Sequence, residues 1–206
     1  MSLNLQVVTA PALEALSLEE VKQHVRVELD STDEDDYLRG QLRRATRAAQ
    51  DATDGSLLTQ TLALRLDGFP CHRVYLAYPP VQSVTGITYL DSDNVLQTLA
   101  ATNYQVVGAR TAPDDHPSDA YIQPAYGQWW PITYPVPECV VITYLAGWLS
   151  AEAVPDTIKG DMLTLIADWY AQRESIVIGA AVNAANPTAS LFGSYRFHWR
   201  EMERHH

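Results

Sequence analysis

The spacing of apolar residues changes twice along this chain, and this change limits the possible folds more than any other feature. Within residues 17–53 and again in residues 154–174, apolar side chains recur about every 3.6 residues, the helical period. Between residues 57 and 147 they alternate with polar ones, as in strands. The pattern predicts an α+β protein with a small bundle of about three main helices, an inserted and mostly antiparallel β-rich subdomain, and an extended C-terminal arm. The expected boundaries are 1–56, 57–147, 148–174 and 175–206.

Three segments are predicted to be helical. Ser17 and Glu20 form a capping box at the start of the first. The second covers about residues 33–53, with Gly55 as its left-handed terminal residue, and the third covers residues 154–174. The apolar stripes of these helices predict a shared bundle core made of Val21, Val25, Leu38, Leu42, Ile158, Met162, Leu165, Trp169 and Tyr170.

The middle region is predicted to hold six or so short strands separated by turn residues. The polar run Asp91-Ser92-Asp93-Asn94 lies between two of them and predicts a hairpin. Residues 1–16 show no regular pattern, and residues 109–137 are expected to form long loops. The predicted strands cover residues 58–66, 74–78, 84–90, 96–99, 104–107 and 139–145, with a short one at 121–122.

Composition and charge exclude several classes of protein. With 206 residues, 47% of them hydrophobic and 19% charged, the chain is typical of a folded soluble protein. A net charge of −11 argues against a protein that binds nucleic acid through its phosphates, although DNA can pass nearby without binding. No apolar run is long enough for a membrane span, and the N-terminus lacks the pattern of a secretion signal. Two cysteines make no disulfide framework, so a reduced, cytosolic setting is expected.

Motifs that carry catalysis are missing from the sequence. It has no Walker loop, no G-x-S-x-G, no G-x-G-x-x-G and no H-E-x-x-H. The acidic run at residues 30–36 lacks the glycine of an EF-hand loop, so a turn that feeds acids into the next helix is favoured over a cation site. We therefore expect no catalytic residues, no cofactor and no bound metal. A hydrolase would rest only on an unplaced surplus of acids.

Four arginines lie off the apolar stripe of the second helix: Arg39, Arg43, Arg44 and Arg47. They could form a nucleic-acid patch, a solvated face paired with acids at helical spacing, or charged contacts with a protein neighbour. The acids around them make DNA binding the weakest of the three interpretations.

The C-terminal segment 175–206 is apolar and then aromatic, with few charges. A monomer seldom keeps such a tail unless it docks somewhere. The segment is therefore either an arm that binds another protein or a tail folded on its own bundle. Its candidate contact residues are Leu191, Phe192, Tyr195, Arg196, Phe197 and Trp199.

Aromatic residues in the loop-rich stretch suggest an alternative function. Trp129 and Trp130, together with Tyr126, could stack on sugar rings, as in a carbohydrate-binding or adhesin-like module. Aromatic residues beside proline-rich loops are more often core plugs or interface anchors, which makes this function the weaker hypothesis.

A set of short patterns follows one order along residues 17–174. It begins with the first helix, the acidic turn and the second helix, which is rich in Arg and Ala. The later patterns are Leu58-Thr59-Gln60-Thr61, Leu64-Arg65-Leu66-Asp67-Gly68-Phe69-Pro70, Tyr78-Pro79-Pro80-Val81-Gln82-Ser83-Val84, Ile87-Thr88-Tyr89, Val141-Ile142-Thr143-Tyr144-Leu145-Ala146-Gly147, and the helix end Trp169-Tyr170 with Arg173-Glu174.

In this order the patterns resemble the head–tail connector (adaptor) family of tailed bacteriophages, including its prophage-encoded members. The resemblance implies a helical bundle that carries a β-rich insertion, with no enzymatic activity and no cofactor. It also implies a ring of subunits, commonly twelve, that docks under the portal protein of the DNA-filled head and extends its channel toward the tail. The ring-interface candidates are Arg39, Arg43, Arg44 and Arg47 with Asp33, Asp35 and Asp36.

The resemblance also implies the partners and location of the protein. The C-terminal arm would engage the portal protein, and a downstream tail or head-completion protein would follow on the other side. Double-stranded DNA would pass through the channel without specific binding, and no membrane is involved. The protein would be made in the cytoplasm of a bacterial host and would reside in the virion, at the head–tail interface.

Overall fold

The computed structural model describes residues 4–110, 119–172 and 191–192. These residues form three α-helices and antiparallel sheets, which confirms the predicted α+β class. None of these helices is long and apolar enough to cross a bilayer. In chain order the elements are β1 (Asn4–Thr9), α1 (Leu18–Val25), α2 (Asp35–Thr53), β2 (Gln60–Leu66), β3 (Val74–Tyr75), β4 (Val81–Leu90), β5 (Leu96–Thr98), a 3-10 turn (Ala101–Asn103), β6 (Tyr104–Val107), β7 (Tyr121–Pro124), β8 (Val140–Ala146) and α3 (Asp156–Ala171).

The strands form two sheets, in the orders β1-β2-β8-β4-β5 and β3-β7-β6. Strands β4 and β5 pair as the predicted hairpin, so that prediction is confirmed. The Asp91 carboxylate closes its turn, because it accepts hydrogen bonds from the backbone N–H groups of Asp93 (3.0 Å) and Val95 (2.9 Å). The bond from Val95, followed by one from the Gln97 amide, holds the pKa of Asp91 below its usual range.

Strand β1 has no counterpart among the predicted elements. It lies in the segment predicted to have no regular structure and adds an edge to the larger sheet by pairing with β2, from Asn4 opposite Arg65 to Thr9 opposite Thr61. Its side chains are nearly all exposed, so the sequence carries no alternation of apolar and polar residues there. Residues 1–56 are therefore not purely helical, because backbone pairing rather than burial makes this strand.

Two predictions concerned helix ends: the capping box at the start of α1 and the left-handed residue after α2. The predicted capping box is confirmed: the Ser17 hydroxyl accepts from the Glu20 N–H (3.1 Å), and the Glu20 carboxylate accepts from the Ser17 N–H (2.6 Å). The prediction that Gly55 would be the left-handed residue after α2 is wrong. Asp54 adopts that conformation instead (φ 53°), one residue earlier, since the short polar side chain of Asp tolerates it.

The described residues bury two apolar clusters. One joins the three helices, and the other fills the space around the sheets. The Tyr144 hydroxyl of the sheet cluster donates to the carbonyl of Ala77 in the helical cluster (2.8 Å), and burial raises the pKa of Tyr144 far above its usual range. Among the predicted bundle-core residues, Val21, Leu38, Leu42, Ile158, Met162 and Leu165 are buried, while Val25, Trp169 and Tyr170 are partly buried against the helical cluster.

A buried lysine fastens the turn between α1 and α2. Lys22 is only 4% exposed, and its ammonium group lies 2.5 Å from the Asp35 carboxylate. The same group donates to the carbonyls of Ser31 (2.6 Å) and Leu29 (3.3 Å). One cation therefore satisfies three acceptors of the turn, which fixes residues 26–34 against the start of α2.

The helical and sheet regions meet where three chain segments cross. Gly147 has φ 107°, and a β-carbon there would overlap the carbonyl group of Leu58. The Gln82 side-chain amide donates both to the Gly147 carbonyl (2.7 Å) and to the Thr59 hydroxyl (2.7 Å). The N–H of Gly147 donates to the Pro80 carbonyl (2.7 Å), so the crossing is held by hydrogen bonds on both sides.

We expect Gly147→Ala to lower the free energy of unfolding by about 3 kcal/mol or more, because it adds both backbone strain and a steric clash. Urea unfolding measures the change. Gly160→Ala is the matched control, since Gly160 is an exposed residue of α3 with no atom within 4 Å of its would-be β-carbon. That substitution should stabilise the helix by about 0.5–1 kcal/mol. Equal unfolding energies for the two variants would contradict the crossing described above.

A second prediction concerns Lys22. Lys22→Met keeps the apolar stem but leaves the Asp35 carboxylate and two carbonyls without their cation, so we expect a loss of about 2–4 kcal/mol. Arg47→Met is the control, since its pair with Asp51 (3.0 Å) is exposed and should contribute less than about 1 kcal/mol. If thermal and urea unfolding show the same small loss for both variants, Lys22 does not fasten the turn.

Candidate assembly interface

The exposed face of α2 carries ion pairs within the helix itself. Arg39 lies 3.3 Å from the Asp36 carboxylate and 3.6 Å from that of Asp35, and Arg47 donates to Asp51 at 3.0 Å. Pairs of this kind contribute less than about 1 kcal/mol each in water. They can therefore be exchanged for contacts with another molecule at little cost.

The structure divides the seven residues predicted for a ring interface. Asp35 lies in the internal pair with Lys22, and the Arg44 guanidinium carbon lies over the ring of Trp169, 3.9 Å from its centroid. Both residues therefore make contacts within the subunit, which the sequence did not indicate. Arg43 and Asp33 are exposed and form no ion pair with any residue that the structure describes.

The end of α3 is held to the start of α2. The Tyr170 hydroxyl donates to the Glu34 carboxylate (2.6 Å), and the rings of Tyr170 and Tyr37 lie 6.3 Å apart. Together with the contact between Arg44 and Trp169, these interactions show that the aromatic pair of α3 covers α2. Trp169 and Tyr170 thus pack within the bundle and do not form an open ligand site.

A groove of about 270 Å³ lies between α2 and the segment that precedes α1. Leu13 and Leu57 supply apolar walls, Arg43 and Arg47 line the side formed by α2, and Glu14 lines the side formed by the segment before α1. Leu13 is 64% exposed. Two arginines against one glutamate leave the border of this apolar groove with a net positive charge, which suits an apolar side chain with acidic neighbours.

The aromatic loop is split between packing and exposure. Trp130 stacks on Phe69 at 4.6 Å, with the ring planes 4° apart, and its indole N–H donates to the carbonyl of His72 (3.3 Å). Trp130 is therefore a plug, whereas Tyr126 (100% exposed) and Trp129 (86%) stand in solvent beside an open groove of about 420 Å³. The three residues do not form one continuous stacking platform.

Part of the predicted C-terminal arm lies on its own bundle. Phe192 is 1% exposed within the helical cluster, and Leu191 packs against the same cluster. For these two residues the structure supports the alternative of a tail folded on the bundle. No periodic pattern surrounds Leu191-Phe192, so the sequence offered no sign of this contact. Tyr195, Arg196, Phe197 and Trp199 lie outside the described residues.

Titratable groups near these surfaces do not assemble into a reactive cluster. Within the described ranges, no group of three or more His, Cys, Asp and Glu residues is placed to hold a metal ion. Partial burial raises the pKa of Asp161 on α3.

One family of proteins matches the first half of the chain. A family model described as Phage gp6-like head-tail connector protein matches residues 15–111, from the segment before α1 to just after β6. Comparison with curated protein sequences gives no match.

Solved structures of particle necks are similar to nearly the whole chain. A chain from "Neck of empty GTA particle computed with C6 symmetry" has a TM-score of 0.72 and 26% identity, with 95% of this chain and 96% of that chain covered. A chain from "Virion of native gene transfer agent (GTA) particle" has a TM-score of 0.71 and 26% identity, with 94% of this chain and 95% of that chain covered. A third chain, from "Neck of native GTA particle computed with C12 symmetry", has a TM-score of 0.69 and 25% identity, with 95% of this chain and 96% of that chain covered. These findings confirm the resemblance predicted from the sequence.

Proposed function

We propose that this chain is a connector of the particle neck that assembles as a ring of twelve subunits, because a head-tail connector model matches residues 15–111 and a chain from a GTA neck is similar to it over 95% of its length. The ring docks on the portal protein and extends the DNA channel toward the tail. The observation that carries the proposal is the similarity to a chain from a neck computed with C12 symmetry, over 95% of the present chain. Nothing in the comparisons favours the alternative of a carbohydrate-binding module.

A ring of identical subunits needs two different complementary surfaces on each subunit, because its contacts run head to tail. Charged residues on and beside α2 supply such surfaces. Arg43 and Arg47 border a groove at the middle of α2, whereas Asp33 and Asp36 lie just before and at the start of this helix. Asp35 and Arg44 have contacts inside the subunit, so five of the seven predicted residues stay ring-interface candidates: Arg39, Arg43, Arg47, Asp33 and Asp36.

The charge of the chain supports a channel through which DNA moves. With a net charge of −11, an assembled ring repels phosphates and lets the duplex pass without specific binding. The role requires no turnover of a substrate and no cofactor, so we expect no enzymatic activity. A tail or head-completion protein binds below the ring. The protein is made in the host cytoplasm and acts in the virion.

The arm that docks on the portal begins after Phe192. Phe192 is buried on the bundle, which leaves Tyr195, Arg196, Phe197 and Trp199 as the residues of the arm that contact the portal. Aromatic and arginine side chains are the commonest hot spots of protein interfaces, and these four residues lie within seven residues of the buried Phe192.

The ring proposal is tested by mixing the protein with its cognate portal protein. We expect multi-angle light scattering to report about twelve copies bound per portal ring, and electron microscopy to show one added ring on the axis. A protein that remains monomeric and unbound in the presence of the portal would show that the proposal is wrong.

Two truncations test the arm. Removal of residues 193–206 should leave the unfolding free energy nearly unchanged, whereas removal of residues 187–206 also deletes Phe192 and should cost about 3 kcal/mol. Both should weaken portal binding measured by sedimentation. If the chain that lacks residues 193–206 binds the portal as tightly as the full chain, the arm does not dock there.

A further inference from the structure

We propose that the groove between α2 and the segment before α1 receives the turn between α1 and α2 of a second copy of this chain. Leu29 of the neighbour enters the groove, and its Glu28 and Asp30 face Arg43 and Arg47. This contact rests on the proposed ring and assigns the two surfaces that join its subunits.

The groove has the chemistry of a receptor for such a turn. Its volume is about 270 Å³, and Leu13, Leu57 and Leu58 give it apolar walls. Arg43 forms no ion pair with the part of the chain that the structure describes, and Arg47 has only an exposed pair with Asp51. Glu14 also lines the groove, so its border carries two positive charges against one negative charge, and this net positive charge favours an acidic partner with an apolar tip.

The turn is the matching surface on the same subunit. Leu29 is 49% exposed, and it is the only large exposed apolar residue of the described ranges with an acid on each side. The side chains of Glu28 and Asp30 are exposed and make no ion pair with described residues. A neighbour's arginines can therefore pair with them without displacing an existing partner.

The turn is held rigidly before it binds. Lys22 binds the carbonyls of Leu29 and Ser31, so the backbone on both sides of Asp30 is fixed to α1. A segment ordered in advance loses little conformational entropy on association. This gives the buried ion pair of Lys22 and Asp35 a role in assembly as well as in folding.

Groove and turn lie at opposite ends of the pair formed by α1 and α2. Lys22, near the end of α1, contacts Asp35 at the start of α2, whereas Ala15, before α1, lines the groove with Arg43 and Arg47. The start of α2 and Arg43 are about 12 Å apart along the helix, at about 1.5 Å per residue. Two distinct complementary surfaces at opposite ends are what a head-to-tail ring requires.

Charge exchange tests the contact in the full chain assembled on its cognate portal. Arg43→Glu alone and Asp30→Arg alone should each weaken ring assembly by on the order of tenfold or more, because like charges then face each other. The double variant Arg43→Glu with Asp30→Arg places the opposite charges back in contact, and assembly should return to near the wild-type level. Light scattering measures assembly, and circular dichroism checks that every variant is folded.

A second double variant separates this contact from a general effect of charge. Arg43→Glu with Asp93→Arg has the same net charge as the first double variant, but Asp93 lies in the hairpin turn of the sheet region. We expect no rescue from it. Equal rescue by both double variants, or normal assembly of both single variants, would overturn the contact and leave the ring itself intact. Failure of the wild-type chain to assemble would instead contradict the proposed function.

Discussion

At Gly147 the chain leaving β8 passes so close to Leu58 that no side chain fits between them. The two segments lead into and out of the sheet region, so this contact decides how the sheets are placed on the helices. Gln82 ties both segments to the start of β4 through its amide. Without the crossing, the helical and sheet clusters would be joined mainly through side chains such as Tyr144. A glycine is needed there for its missing side chain and for its positive φ together.

The surface of α2 shows how an acidic chain can still present cations to a partner. Lys22 and Arg44 are committed within the subunit, to Asp35 and to the face of Trp169. The remaining arginines of α2 are exposed, and Arg43 and Arg47 border a groove. In the proposed ring, this local basic site joins the subunit to the acidic turn of its neighbour, and the surplus of negative charge is expected to keep DNA from adhering.

The sequence predicted elements whose burial follows a period and missed contacts that depend on partners distant in the chain. The 3.6-residue stripe located α2 and α3 to within a few residues, and alternation located β8 with its buried residues from Val140 to Ala146. Strand β1 went unrecognised because pairing with β2, not burial, makes it a strand. Phe192 and the pair between Lys22 and Asp35 were missed for a similar reason, since each depends on residues brought together only by the fold.

A cryo-electron microscopy map of the ring on its portal, at side-chain resolution, tests the central claim most directly. The account predicts twelve copies around the axis, with Leu29 of each subunit in the groove beside Arg43 and Arg47 of the next. A portal-bound ring in which these grooves are open to solvent would contradict the assigned contact. A portal with no ring of this chain on it would contradict the account as a whole.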